Sequence, residues 1–211
     1  MITVTAYKWV PPFAQGQVRD LRVRWALEEA GIPYKTRLIG FEDQSTPAYR
    51  ALQPFGQVPA IEEDGLALFE SGAIVLHIGE RSEMLLPRDA DARARAITWL
   101  FCALNTIEVV VQQYGDLFFH AKEEWVKERR PQLAQRIQLR LKELAACLGD
   151  KDYLEGRFTV GDLMMASVLR ILGDTDFVTA EPRLAAYQAR CLGRPAFQRA
   201  LAAQLGDFEK R

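Results

Sequence analysis

What most constrains this chain is a change of pattern along it. Up to about residue 81, short strand-like runs trade places with helical ones; after Pro87 the strand signal all but stops. A sheet confined to the first part of the chain leaves the rest to bury its apolar faces helix against helix, so two differently built halves are expected. In the first half, ITVTAY (residues 2–7) is a short β-branched run, and PYKTRLI (33–39) is a second strand candidate. Between them GQVRDLRVRWALEEAG (16–31) repeats Val18, Leu21 and Trp25 near the helical period, with Gly31 where a C-terminal cap needs positive φ. TPAYRALQ (46–53) reads as a short helix with Thr46 as N-cap and Pro47 at its first position. VPAIEEDGLALFE (58–70) reads as two strands joined at Asp64-Gly65, and SGAIVLHIGER (71–81) as a helix. The predicted order is β-α-β-α-β-β-α.

The second half is helical throughout. RARAITWLFCALNTIEVVVQQYGDLFF (93–119) is apolar nearly all round, as a helix buried on most sides would be, and its length overrides the strand propensity of Val109 to Val111. LAQRIQLRLKELAACLG (133–149) is amphipathic, with Leu133, Ile137, Leu141 and Leu144 on one face. The domains are therefore expected at 1–81 and 93–211, with 82–92 as a linker pinned by Met84 to Leu86.

Several classes are set aside. Lys and Arg total 27 against 28 Asp and Glu, a net charge of -1, so no basic excess points to nucleic acid or an anionic membrane. Arg19, Arg22 and Arg24, and Arg129 with Arg130, read as solvated helix faces. The opening residues lack a signal-peptide pattern, and no apolar run approaches the roughly 18 residues of a membrane span. Cys102, Cys147 and Cys191 are scattered; no disulfide framework or zinc site is expected, and all three read as buried or half-buried thiols of a cytoplasmic protein. His77 and His120 lie far apart, and no metal is expected.

Three stretches carry further meaning. In QPFGQVPAI (53–61), Pro59 stands at the start of a strand, where its missing ladder donor is tolerated. In FESGAI (69–74), Glu70-Ser71 falls where a strand ends and a helix begins. A serine there caps the helix, and the same place offers free N–H groups and partial positive charge to an anion. In RFTVGDLMMASVL (157–169), Thr159-x-x-Asp162 is a capping-box variant with Phe158 as its staple, a structural element outside the catalytic set.

The ordered set of three, with the β-α-β-α-β-β-α pattern before an all-helical half, resembles the cytosolic glutathione S-transferases, of bacterial type, over the whole chain. The resemblance implies a thioredoxin-like α/β domain followed by an all-α domain, a homodimer, and glutathione as co-substrate. It implies a cis Val58–Pro59 bond that leaves Val58 free to pair with glutathione as an added strand, with Gln57 in support. It also implies that Glu70 meets the ammonium of the γ-glutamyl end and Ser71 its carboxylate. The activity implied is conjugation of the glutathione thiolate to small hydrophobic electrophiles, as in detoxification. The alternatives are a glutathione-dependent peroxidase or disulfide reductase on the same fold, and a non-catalytic binding protein.

Glutathione brings its own thiol, and the protein need only favour the thiolate. Members of the superfamily use Tyr, Ser or Cys near the first strand's end or the first helix's start. The loop KWVPPFAQGQ (8–17) has no Ser or Cys, which leaves Tyr7 at the end of the strand. The loop is longer than in tyrosine-type members, which admits Arg19, the Trp9 indole, or backbone N–H groups around Ala14 to Gly16 as other donors. Where a basic residue often holds the glycyl carboxylate, this chain reads EDQST (42–46). Gln44 could bond that carboxylate without neutralising it, and Arg37 or Lys35 could compensate. Trp9, Phe13, Asn105, Glu108 and Tyr114 are the expected wall of the electrophile pocket.

Overall fold

The computed structural model describes residues 1–208, which form two compact units: residues 1–86 together with those from Gly193 onward, and Pro87–Leu192. The last three residues of the expected helical domain lie outside the described residues.

The first unit follows the predicted order: β1 (Ile2–Tyr7), α1 (Asp20–Ala30), β2 (Tyr34–Ile39), α2 (Pro47–Leu52), β3 (Ala60–Glu63), β4 (Leu66–Phe69) and α3 (Ser71–Gly79). The sheet order is β2-β1-β3-β4, with β1 parallel to β2 and antiparallel to β3. Ile2, Val4 and Ala6 of the central β1 are buried in the core, and Thr3 and Thr5 on its other face are buried too, as a strand covered on both sides requires. The β3–β4 hairpin turns at Asp64 (φ 49°) and Gly65 (φ 87°), as the Asp-Gly pair predicts. Thr46 caps α2 by accepting from the Tyr49 N–H. The helix α1 starts at Asp20, later than the periodicity implies, and ends at Gly31, whose φ of 66° places it in the left-handed region. Short 3-10 turns at Pro12–Ala14 and Phe41–Ser45 were not legible from pattern.

The helix α9 (Pro195–Asp207) follows the all-helical stretch, yet packs on α1 of the first unit, with the rings of Trp25 and Phe197 4.8 Å apart. This contact corrects the reading of the arginines on α1. Arg22 is 4% exposed and Arg24 1%. Arg24 Nε donates to Asp20 at 2.7 Å and its Nη2 to Asp207 of α9, also at 2.7 Å, so burial is met by charge. A solvated-face reading from sequence could not see a counter-charge so distant along the chain.

In the second unit, Asp89 accepts from the Ala92 N–H at 2.9 Å and starts α4 (Ala90–Cys102), so helix takes over residues 90–92 of the expected linker. A π-helical turn (Ala103–Glu108), α5 (Val109–Gly115) and a 3-10 turn (Asp116–Phe118) continue it; Val109 to Val111 are helical as predicted. Residues 90–118 thus have the length and hydropathy (1.5 over its most apolar window) that a membrane-crossing helix also has, which the sequence reading missed. Within this unit the stretch packs one side on α7 (Val160–Leu169), where a Cβ at Gly161 would stand 2.6 Å from that of Trp99, while Phe101, Val109 and Phe118 remain exposed, so it is not buried on most sides as expected. The helix α6 (Glu124–Leu148) begins ahead of Leu133 and buries the predicted face of Leu133, Ile137, Leu141 and Leu144. Each such leucine contributes about 1.5–3 kcal/mol. Cys147 lies off that face and is exposed, against expectation; Cys191 is buried and Cys102 half-buried. The helix α8 (Pro182–Leu192) completes the unit.

Candidate functional site

The γ-glutamyl end of the site was expected at the β4–α3 junction. Glu70 there has φ 68°, a backbone region that favours glycine, and its side chain is exposed. Ser71 is the first residue of α3 and 6% exposed; Glu70 takes the cap position and no side chain makes a capping bond, so the expected serine cap does not form. Helix α1 packs on α3 and delivers a residue the sequence reading had assigned to solvent: Arg22 Nη1 donates to Ser71 Oγ at 3.3 Å. The signal was present, since Arg22 precedes the buried Trp25 and Ala26 by three and four positions and so shares their face. A serine hydroxyl, a guanidinium and the first N–H groups of a helix converge beside an exposed carboxylate. Such a set suits an amino acid end, with a carboxylate and an ammonium on one carbon.

The strand-pairing element lies before β3. Val58–Pro59 is cis. Val58 is buried with Ile39 and Tyr49, and Tyr7, Val18 and Leu52 pack against that cluster. The Gln57 side chain is exposed, and its carbonyl accepts from the Tyr49 hydroxyl at 2.5 Å. Gly56 (φ 65°) brings this segment close to the 41–45 turn, for a Cβ there would stand 2.8 Å from the Gln44 carbonyl oxygen.

Tyr7, Val18 and Val58 therefore share one cluster, which ties the expected sulfur-side donor to the expected pairing residue. Burial pushes the Tyr7 phenol above its ordinary pKa, the Asp20 charge adds to the shift, and a hydrogen bond from Gln44 opposes it. Tyr7 is thus a neutral phenol at neutral pH, suited to donate a proton. Its ring lies 5.1 Å from that of Phe41, and the ring of Trp9 lies 6.1 Å from Phe41, edge-on. Phe13 is 59% exposed, and Arg19 sits half-buried just before α1. Asp20 is raised to about 6: burial raises it, and its bonds from Arg24 and Gln204 only partly offset this.

At the expected glycyl end, the Gln44 amide is engaged with Tyr7, Arg37 pairs with Glu62 across the sheet surface, and Lys35 is exposed on β2. The other expected wall residues stand in the second unit. Asn105 is exposed on the π-helical turn, and Glu108 is 6% exposed and accepts from Gln112 at 3.4 Å. Tyr114 packs edge-on to Phe177 at 5.2 Å with the Arg130 guanidinium over its ring. Among the described residues no group of His, Cys, Asp or Glu is placed to hold a metal ion. The capping box is as read: Asp162 accepts from the Thr159 N–H at 2.9 Å.

Comparison with known proteins bears on the fold that carries this geometry. A family model for the N-terminal domain of glutathione S-transferases matches residues 4–80. The chain is 31% identical over 147 residues to a glutathione S-transferase-like protein, gedE, of Aspergillus terreus; the match covers 66% of this chain and 61% of that protein, less than two thirds of its length. It is 29% identical over 209 residues to glutathione S-transferase 4 of Zea mays, covering 92% of this chain and 89% of the maize protein. Its fold is similar to that of a glutathione transferase family member from Pseudomonas fluorescens crystallised with two glutathione bound, with a TM-score of 0.81, 28% identity, and coverage of 95% and 92% of the two chains. Sheet order and relatives agree: residues 4–80 match the N-terminal domain of glutathione S-transferases, and the chain has the fold of the glutathione transferases it resembles.

Proposed function

We propose that the protein is a glutathione transferase. The observation that carries this reading is the dock at the start of α3: Ser71 Oγ, buried and 3.3 Å from Arg22 Nη1, beside the exposed Glu70. It is matched to the zwitterionic end of glutathione. The cysteinyl backbone then pairs with Val58, beside Gln57 and Pro59. The thiol comes toward Tyr7, which donates to the sulfur and favours the thiolate, with Arg19 and the loop before α1 as neighbouring donors. The thiol proton passes to solvent. The thiolate attacks the electrophilic carbon, the S–C bond forms, and the leaving group departs with its electron pair. Trp9 and Phe13 belong to the electrophile side of the first unit. A homodimer in the cytoplasm acting on small hydrophobic electrophiles completes the proposal.

A second reading, glutathione-dependent disulfide reduction, is favoured by the two glutathione molecules of the similar Pseudomonas structure. All three cysteines of this chain lie in residues 87–192, outside the unit that holds the dock. A first glutathione thiolate would attack the disulfide and expel one thiolate; a second glutathione would release the other as oxidised glutathione forms.

Calorimetric titration with reduced glutathione tests the dock. Wild type should bind, and Ser71→Ala and Glu70→Gln should each weaken binding on the order of tenfold, as the loss of one charge-assisted contact predicts. No binding by wild type would sink the transferase reading. Turnover of an aryl halide against that of a mixed disulfide separates the two activities.

A further inference from the structure

In the sequence Gln44 stands where a basic residue would hold the glycyl carboxylate. The fold employs its amide elsewhere. Gln44 Nε2 donates to the Tyr7 hydroxyl oxygen at 2.6 Å, joining positions 37 residues apart. Both ends of this bond are held. The 41–45 turn is closed by Asp43, whose carboxylate accepts from the Gly40 N–H at 2.8 Å, and by the Thr46 hydroxyl, which donates to the Asp43 carbonyl at 2.7 Å. Gly56 seats the neighbouring segment against the Gln44 carbonyl. The Tyr7 ring is fixed by Phe41 and by the cluster of Ile39, Tyr49 and Val58.

A phenol oxygen that accepts a bond from an amide keeps its own proton to give away. The accepted bond also polarises the O–H and makes it a stronger donor. We propose that Gln44 is a positioning residue for Tyr7: its amide holds the phenol oxygen so that the O–H is presented to the glutathione sulfur, and it does not bind the glycyl carboxylate. The proposal rests on Tyr7 being the sulfur's donor. It predicts that Gln44 governs the acidity of the bound thiol and leaves affinity alone, and that it acts only through Tyr7.

The test follows thiolate absorbance against pH for bound glutathione in wild type, Gln44→Met, Tyr7→Phe and the double variant, alongside dissociation constants for glutathione and for γ-glutamylcysteine, which lacks the glycine. Methionine keeps the length of the side chain without its donor. Gln44→Met should raise the bound thiol pKa by about one unit, a tenfold loss of thiolate at a fixed pH below it. Both dissociation constants should stay within about threefold, and adding Gln44→Met to Tyr7→Phe should change nothing more. Gln44→Glu should lose at least as much thiolate, because its carboxylate would take the phenol's proton. Four results would overturn the proposal. Weaker glutathione binding with γ-glutamylcysteine unaffected would make Gln44 a carboxylate anchor. A shift that persists in the Tyr7→Phe background would make it act independently of the phenol. A lowered thiol pKa in Gln44→Met would mean that the amide oxygen had been taking the phenol's proton. An unchanged thiol pKa in Tyr7→Phe alone would remove Tyr7 as donor, and is told apart by appearing in that single variant.

Discussion

Each unit of this protein buries an aspartate in the first turn of a helix, and the two are satisfied in opposite ways. Asp162 of α7 accepts from neutral donors: the N–H groups of Leu154 and Thr159 at 2.9 Å, the Thr159 hydroxyl at 3.1 Å and the Tyr187 hydroxyl at 3.1 Å. Most of these lie within eight residues of it. Asp20 of α1 accepts from Arg24 Nε at 2.7 Å, one turn on, and from Gln204 Nε2 at 2.7 Å, which α9 brings from the far end of the chain. Gln204 also donates to the Val18 carbonyl at 3.1 Å, and Arg24 reaches on to Asp207. The first aspartate closes a local motif; the second ties the chain's two ends together. Burial alone therefore does not tell what a buried charge is for. Its partners' distance along the chain does.

Removing each carboxylate should separate the two designs. Asp162→Ala strands several buried donors at once and should cost the most, about 4–5 kcal/mol in urea unfolding. Asp20→Ala leaves the Arg24 guanidinium with one carboxylate fewer and should cost about 3 kcal/mol, less because burial already disfavours the ionised Asp20. The asparagine variants sharpen the contrast. In Asp162→Asn the new amide would turn an N–H group toward N–H donors. In Asp20→Asn the new amide can still accept from Arg24, while Gln204 can turn its buried oxygen, which has no hydrogen-bond partner among the described residues, to meet it at the cost of its bond to the Val18 carbonyl. Asp20→Asn should therefore cost about 1 kcal/mol, and Asp162→Asn clearly more. Equal losses would break the comparison.

The pH dependence comes next in size. The folded protein holds the Asp20 proton to about 6, against an ordinary 3.8, so between these values the native state binds more protons than the unfolded chain. The contribution of this group to stability is present at the acid end of that window and declines as pH rises through it. The difference in unfolding free energy between wild type and Asp20→Asn, followed across the window, should show that decline; a rise would reverse the sign of the argument. The smallest effect belongs to Glu70, which presents an exposed carboxylate from a left-handed backbone. Glu70→Gly should raise thermal stability by about 1 kcal/mol while weakening glutathione binding. Loss of both would place the cost in the side chain and not in the backbone.

What the sequence made legible follows the same division. Local chemistry was readable: the Asp64-Gly65 turn, the Thr46 and Thr159 caps, the Gly31 stop, and the Glu70-Ser71 junction each depend on neighbours within a few positions. The burial of Arg22 was readable from its spacing to Trp25 and Ala26, but its pairing with Ser71, like Gln44 against Tyr7 and α9 against α1, depends on which distant surfaces meet, and a single chain read residue by residue does not carry that. Arg22 and Arg24 show the bias most plainly. Charged side chains are solvated by default, and only the fold supplies the partners that make an exception.

The place of α9 has a consequence for how the protein is made. Ribosomes release a chain from its first residue, and early domains ordinarily fold while later ones are still being added. Here the first unit lacks Phe197 against Trp25, and the Asp207 counter-charge for Arg24, until the final helix has emerged. The sheet that carries the dock must wait for a helix encoded after the whole intervening unit. A nascent chain halted after residue 86 should therefore expose the apolar face of α1 to chaperones, and a full chain released from the ribosome should hide it.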